Sequence, residues 1–295
     1  MIDLHIHTTC SDGDNTPEEI LDMAEELKLE YISFIDHNTC KGYDDLHKIR
    51  HKFNGKIIPG CEVECTFMHY KLEVLCYGID VEKFKKFLDY SFSQEVKNRQ
   101  KLQEVEAAIK VFDKLGMKYN KDNLFKLDSE TFGGQIIITE ICRYEENKNM
   151  FPEDAWKNAR IFFREYQSNS NSIWYSGKSK IYPEISEIIG NVKNCGGFTF
   201  LAHPYEYIVD DMEKFLDVLT QNSSIDGIEC HHCTTNDDQI RYLENYCRKN
   251  NLYISGGSDY HGDRYKPGVN IATGTGNLNI GFDVIKDWVD KIELI

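Results

Sequence analysis

The alternation of apolar and polar positions predicts two stretches of strand and helix separated by a long helical tract. Residues 1 to 6 read as a strand. Thr16-Pro17-Glu18-Glu19 then supplies an N-cap, a proline at the first helical position and two acids in the first turn, ahead of an apolar stripe of Ile20, Met23, Ala24 and Leu27. Strands are predicted at 31 to 35, 56 to 58 and 71 to 77, with a helix at 41 to 53. After Asp80 the alternation stops. Residues 81 to 195 read as a helical insertion with amphipathic segments at 94 to 116 and 153 to 167, no strand, and a Ser/Asn/Gly-rich loop at 169 to 180. A helix opening at Pro183 leads back to a strand at 198 to 202. Alternation then resumes with helices at 209 to 221 and 236 to 250 and strands at 225 to 230 and 252 to 256. The expected organisation is one α/β barrel domain built from 1 to 80 and 196 to 295, interrupted by the insertion.

Composition narrows the class. With 295 residues and 41% apolar content the chain can bury a large core. It has no apolar run long enough to cross a bilayer and no leader-like start, so no membrane partner and a cytoplasmic location are expected. Ten scattered cysteines read as reduced thiols, and neither Cys61-x3-Cys65 nor Cys230-His-His-Cys233 has a second pair to complete a zinc knuckle. A net charge of -15 is the wrong sign for coating long nucleic acid but leaves small phosphorylated substrates open. The sequence identifies no protein partner.

Nine metal-type side chains sit in short clusters that follow apolar runs: His5, His7, Asp12, His37, Glu62, Glu73, His203, Asp259 and His261. His5 and His7 share one face of a strand and can bind one cation together. His37, Glu62, His203, Asp259 and His261 fall where strands give way to loops, the end of an α/β barrel that carries function, and Asp12 lies in a turn that can swing back over the His5–His7 strand end. Imidazole and carboxylate donors suit Zn, Mn or Fe, and a carboxylate such as Glu62 can bridge neighbouring ions. Two to three divalent ions and phosphoester hydrolysis are the expected cofactors and chemistry.

The ordered set His5-x-His7, Ser11-Asp12-Gly13, Asp36-His37-Asn38, Gly60-Cys-Glu62, Tyr77-Gly78-Ile79-Asp80, Ala202-His203-Pro204 and Gly257-Ser-Asp259-Tyr-His261-Gly262 resembles the PHP (polymerase and histidinol phosphatase) family. That resemblance implies a distorted (β/α)7, TIM-like barrel, a trinuclear site and metal-dependent phosphoesterase activity. The insertion and the tail running to Pro267-Gly268 are most similar to the branch acting on nucleoside 3',5'-bisphosphates and short 5'-phosphorylated oligonucleotides. Two departures stand out. Glu73 occupies the place of a histidine in a His-x-x-Gly-Tyr-Gly run, with His69 as a substitute from the preceding turn. Phe132-Gly-Gly-Gln135 lacks the Arg and His of a Gly-Arg-x-His element.

Outside the metal set, Arg264 and Lys266 are candidates to clamp phosphate, with Arg143 reaching a second phosphate from the insertion. His232 is the candidate proton donor to the leaving group and His231 a substrate contact. Tyr205, Tyr207 and Trp174 are candidates to stack on a base. Two other readings are a histidinol-phosphatase-type enzyme, with Glu206 meeting an amine, and a non-catalytic metal-stabilised module.

Overall fold

The computed structural model describes all residues except 127–130, 170 and 177–181. It divides into two compact units, one made of Met1–Cys65, Leu72–Asp89 and Glu184–Ile295, the other of Thr66–Lys71 and Tyr90–Pro183.

The first unit is α/β. Strands β1 (Ile2–Ile6), β2 (Tyr31–Phe34) and β3 (Lys56–Ile57) form a parallel sheet in that order. A second sheet runs β4 (Gly60–Phe67), β5 (Tyr70–Tyr77), β6 (Phe198–Leu201), β7 (Gly227–His231) and β8 (Tyr253–Gly256). All five residues of β1 are buried, as expected of a parallel strand covered on both faces. The sheets meet at two edges. Residues beyond β8 pair with β1, where His7 N donates to Tyr260 O at 2.9 Å, and residues beyond β2 pair with β4, where Asn38 N donates to Glu62 O at 2.8 Å.

The strands therefore do not form one closed parallel cylinder among the described residues. The reason is the β4–β5 hairpin: it sends β5 back antiparallel to β6, with Val74 opposite Leu201. The expected strand at 71 to 77 is present, but β4 was not expected, so Glu62 stands inside a strand rather than on a loop after one.

Helix α1 (Pro17–Glu26) starts as predicted, with Thr16 and Glu19 closing a capping box. The expected helix at 41 to 53 is instead three short turns, Lys41–Tyr43, Leu46–Ile49 and Arg50–Lys52. Buried Tyr43 pins this segment: its hydroxyl donates to Phe34 O at 2.8 Å and accepts from Gly60 N at 2.9 Å. Helices α2 (Val81–Ser91), α3 (Gln94–Leu115), α4 (Gly133–Ile141), α5 (Ile185–Asn194), α6 (Met212–Asn222) and α7 (Asp237–Asn250) complete the larger elements. The core of the first unit gathers Leu4, Leu75, Tyr77, Phe200 and Trp288, and Trp288 Nε1 donates to Ile254 O at 2.8 Å.

No strand lies between Val81 and Asn194 among the described residues, as the sequence predicts. Residues 153 to 167 are not one amphipathic helix but turns, a single α turn at Ala159–Ile161 and a π-helix at Phe162–Gln167. Of the loop expected at 169 to 180, residues 170 and 177–180 lie outside the described residues, and 171 to 174 form turns. The second unit has its own core of Val105, Phe112, Ile137, Ile141, Phe162 and Trp174. Among the described residues no helix is long and apolar enough to cross a membrane.

Candidate metal centre

Strand alternation puts Asp3, His5 and His7 on one face of β1, and His5 and His7 are fully buried. The loop beyond β8 is brought against them by Gly257, where an added Cβ would stand 2.3 Å from His5 N. Asp12 is turned back over the same strand end at Gly13, where a Cβ would stand 2.5 Å from His7 O. That turn is fastened by Asp36, whose carboxylate accepts from Thr8 N and Thr8 Oγ1, each at 2.8 Å, and from Ser11 Oγ at 2.6 Å. Asn38, His203 and Asp259 all have left-handed backbone, with φ of 54°, 25° and 54°. Such φ values are uncommon for residues with a Cβ and gather at functional sites.

Four donor atoms converge at the centre. His5 Nε2 and His7 Nε2 are 3.1 Å apart, Glu62 Oε2 lies 3.5 and 3.3 Å from them, and Asp259 Oδ1 lies 3.4 and 3.3 Å from them. Separations of 3.1–3.5 Å are those of donors that share a cation at about 2.0–2.1 Å, the length of a zinc–imidazole bond, and His5, His7 and Asp259 form one such group with Glu62 beside both imidazoles. Two further groups flank it. Asp12 Oδ1 is 3.4 Å from His261 Nε2 and 3.5 Å from His7 Nδ1, with His37 Nε2 3.9 Å from Asp12 Oδ2. Glu62 Oε1 and Glu73 Oε2 lie 3.0 and 3.3 Å from His203 Nε2, and His37 Nδ1 is 3.1 Å from Glu62 Oε2. All nine expected donors are in this constellation. His7 Nδ1 and Asp12 Oδ1, 3.5 Å apart, are both buried without a hydrogen-bond partner, as lone pairs kept for a cation would be.

The electrostatics agree with that fit. Burial opposes charge on Glu62, yet His37, His5 and His203 hold its carboxyl well below the usual range. Burial would lower His7, but hydrogen bonds to Asp259 and Glu62 and the charge of Asp12 push it up to about 10. His203 is likewise carried against burial to about 9 by Glu62, Glu206 and Glu73. Without metal, the cluster holds protons where cations would sit. Glu73 goes the other way: burial and the neighbouring Glu62 raise it.

Residues 3–173 match the PHP domain. The chain belongs to the PHP family. It is 23% identical over 260 residues to the 5'-3' exoribonuclease of Haemophilus influenzae, covering 88% of this chain and 89% of that protein. It is 23% identical over 265 residues to the 3',5'-nucleoside bisphosphate phosphatase of Chromobacterium violaceum, covering 88% and 87%. A solved Bifidobacterium adolescentis structure assigned as a metal-dependent phosphoesterase has the same fold, with a TM-score of 0.63 at 21% identity over 99% of this chain and 96% of that one.

Within this PHP chain the remaining candidates separate. Lys266 reaches the centre, where its ammonium contacts Asp259 Oδ2 and lies 3.8 Å from Glu206 Oε1. His232 does too, but both ring nitrogens are engaged: Nε2 at 3.1 Å from Asp259 Oδ2 and Nδ1 at 2.7 Å from Thr234 Oγ1. His231 is not brought there. A register shift between Glu229 and His231 in the β7–β8 pairing turns its ring onto α7, where Nε2 sits 3.1 Å from Glu244 Oε1. The Arg264 side chain is exposed and stacked over Tyr265, 4.8 Å from the ring centroid. Arg143 lies in the second unit with Nε 3.3 Å from Glu140 Oε2. His69 also belongs to the second unit, whereas Glu73 is in the cluster itself. Trp174 is a core residue, and the Tyr207 hydroxyl is tied to Glu73 N at 2.9 Å, so neither ring is presented for stacking.

Two residues act in ways the sequence did not single out. Glu229 Oε2 accepts from His203 N at 2.8 Å while its other oxygen meets the His5 ring. Cys233 forms a metal-type group with His232 and Asp259. The placement of Glu229 two residues before a His-His pair at a strand end was the available signal.

Proposed function

We propose that this PHP protein is a metal-dependent phosphoesterase that hydrolyses a small phosphorylated substrate, a nucleoside 3',5'-bisphosphate or a short 5'-phosphorylated oligonucleotide. The close convergence of the His5, His7 and Asp259 donors, with Glu62 within 3.5 Å of both imidazoles, carries the reading. The names of the Chromobacterium and Haemophilus relatives support the substrate class.

His5, His7, Glu62 and Asp259 would hold one ion and Asp12, His37 and His261 a second, with Glu62, Glu73 and His203 able to hold a third, so two to three Mn, Fe or Zn ions would be accommodated. When bound, such ions supply Lewis acidity toward a phosphoryl group and make water acidic enough to act as a nucleophile near neutral pH. The chain's own part is to hold these donors in place, with His5, His7, Glu62, His203 and Asp259 buried and Asp12, His37 and Glu73 partly open to solvent. Lys266 adds a fixed positive charge beside Asp259, where phosphate charge is to be met. His232 orients the outer oxygen of Asp259. Arg264, exposed on the following turn, is the candidate for the outer phosphate.

We also read the two edge-paired sheets as one distorted barrel, which the backbone pairing of His7 with Tyr260 and of Asn38 with Glu62 supports. A cytoplasmic location fits ten cysteines of which none forms a disulfide.

The deciding experiment is elemental analysis of protein purified without chelator, run beside hydrolysis of adenosine 3',5'-bisphosphate and a 5'-phosphorylated dinucleotide with and without added Mn(II). Bound metal with phosphate or nucleotide release is expected. A metal-free protein that stays inert after Mn(II) addition overturns the reading.

A further inference from the structure

Asp259 shows its two oxygens to different surroundings. Oδ1 faces His5, His7 and His261. Oδ2 faces away, to His232 Nε2 at 3.1 Å and to the Lys266 ammonium. Glu206 Oε1 stands 3.8 Å from the same ammonium, and Cys233 Sγ lies 3.9 Å from His232 Nε2. The side chains of Asp259, Glu206 and Lys266 are only 5%, 10% and 12% exposed, and His232 is fully buried. Apart from the ammonium, this wall presents one imidazole, one thiol and carboxylates, with donor atoms of His232, Cys233 and Asp259 all within 4.8 Å of one another. That is a zinc-type donor set.

We propose that Lys266 is a tethered cation that fills a fourth metal-type pocket, built by His232, Cys233, Asp259 and Glu206, and keeps a divalent ion out of it. The ammonium neutralises the outer oxygen of Asp259 without being free to diffuse away. It is held in register by the turn in which Lys266 N donates to Gly262 O at 2.9 Å. With the ammonium on the outer oxygen of Asp259, the Cys233 sulfur is withheld from the metals. Asp259 is left to offer one oxygen to the main centre, which stays a nitrogen and oxygen site. The inference shares Asp259 with the metal reading above but does not depend on hydrolysis.

The test is Co(II) titration of the full chain, followed by absorption spectroscopy and elemental analysis. Lys266→Met keeps the apolar stem and removes the charge. It is expected to bind one more equivalent than wild type and to gain a near-ultraviolet thiolate-to-cobalt charge-transfer band, both lost in Lys266→Met/Cys233→Ser. Wild type saturated with Co(II) is expected to show no thiolate band. A wild-type band that disappears in Cys233→Ser overturns the proposal, as does a folded Lys266→Met with unchanged stoichiometry and no band. Lys266→Gln serves as the second variant if the methionine variant does not fold. A wild type that takes up no Co(II) refutes the metal reading of the main centre, while the Lys266 variants still judge this pocket.

Discussion

Glu229 Oε1 lies 2.8 Å from His5 Nδ1, on the ring edge opposite the nitrogen that faces the donor cluster. Its other oxygen holds the turn at His203, so one buried carboxylate orients donors from two strands. Glu229→Gln cannot keep the charge or accept both hydrogen bonds. It is expected to weaken metal affinity about 10- to 100-fold, the usual cost of losing such a supporting carboxylate. Competition against a chelator of known affinity measures this, and an unchanged affinity would remove Glu229 from the centre's design.

Glu73 stands among the candidate donors by position rather than by residue type. Its carboxylate lies 3.3 Å from His203 Nε2 and 3.9 Å from His37 Nδ1. Glu73→Ala is expected to reduce bound metal by about one ion per chain, whereas Glu73→His retains it. Equal metal content in all three proteins would mean that Glu73 holds no ion.

The metal-free protein has an unusual pH dependence. Folding raises His7 to about 10 and His203 to about 9 from an ordinary value near 6.5. The folded chain thus binds more protons than the unfolded one between those values. The resulting stability is full below about pH 6.5 and is lost as pH climbs through 9 to 10, at up to about 1.4 kcal/mol per pH unit for each proton. Urea unfolding in chelator at pH 7 and pH 9.5 should show the drop. Metal affinity runs the opposite way, rising with pH as protons leave the ligands.

Neighbouring histidines at the end of β7 have different fates. His231→Ala removes a pair with Glu244 in which both side chains are about one-fifth exposed, so a loss of about 0.5–1 kcal/mol and no change in metal content are expected. His232→Ala strips a buried partner from Asp259 and is expected to lower metal affinity. Thermal melts and metal analysis of the two variants separate these roles, and a metal defect in His231→Ala would contradict the placement.

Much of this centre was legible because its donors depend on strand period. His5 and His7 read as one arm from their spacing alone, and the structure puts their Nε2 atoms 3.1 Å apart. Glu62 was legible as a donor but not in its setting. Cys61, Val63, Cys65 and Phe67 alternate with Glu62, Glu64 and Thr66 in the pattern of β4, yet the preceding Pro59-Gly60 reads as a loop. His231 and His232 were both expected at the site, because the register shift that sends His231 out and keeps His232 in leaves no mark on composition. The broken helix at 41 to 53 has a related cause: the Tyr43 hydroxyl binds Phe34 and Gly60, residues whose nearness only the fold creates. Lys266 was legible as a cation and Asp259 as a donor, but their pairing was not.

The left-handed turns at His203 and Asp259 set stability against duty. A residue with a Cβ held at positive φ costs on the order of 1 kcal/mol, and histidine bears it less readily than aspartate. Glycine at either position would relax the backbone and toughen the fold while deleting a donor. Directed evolution of this chain for heat resistance alone, with no demand on its metals, is therefore expected to erode the centre first at these two corners.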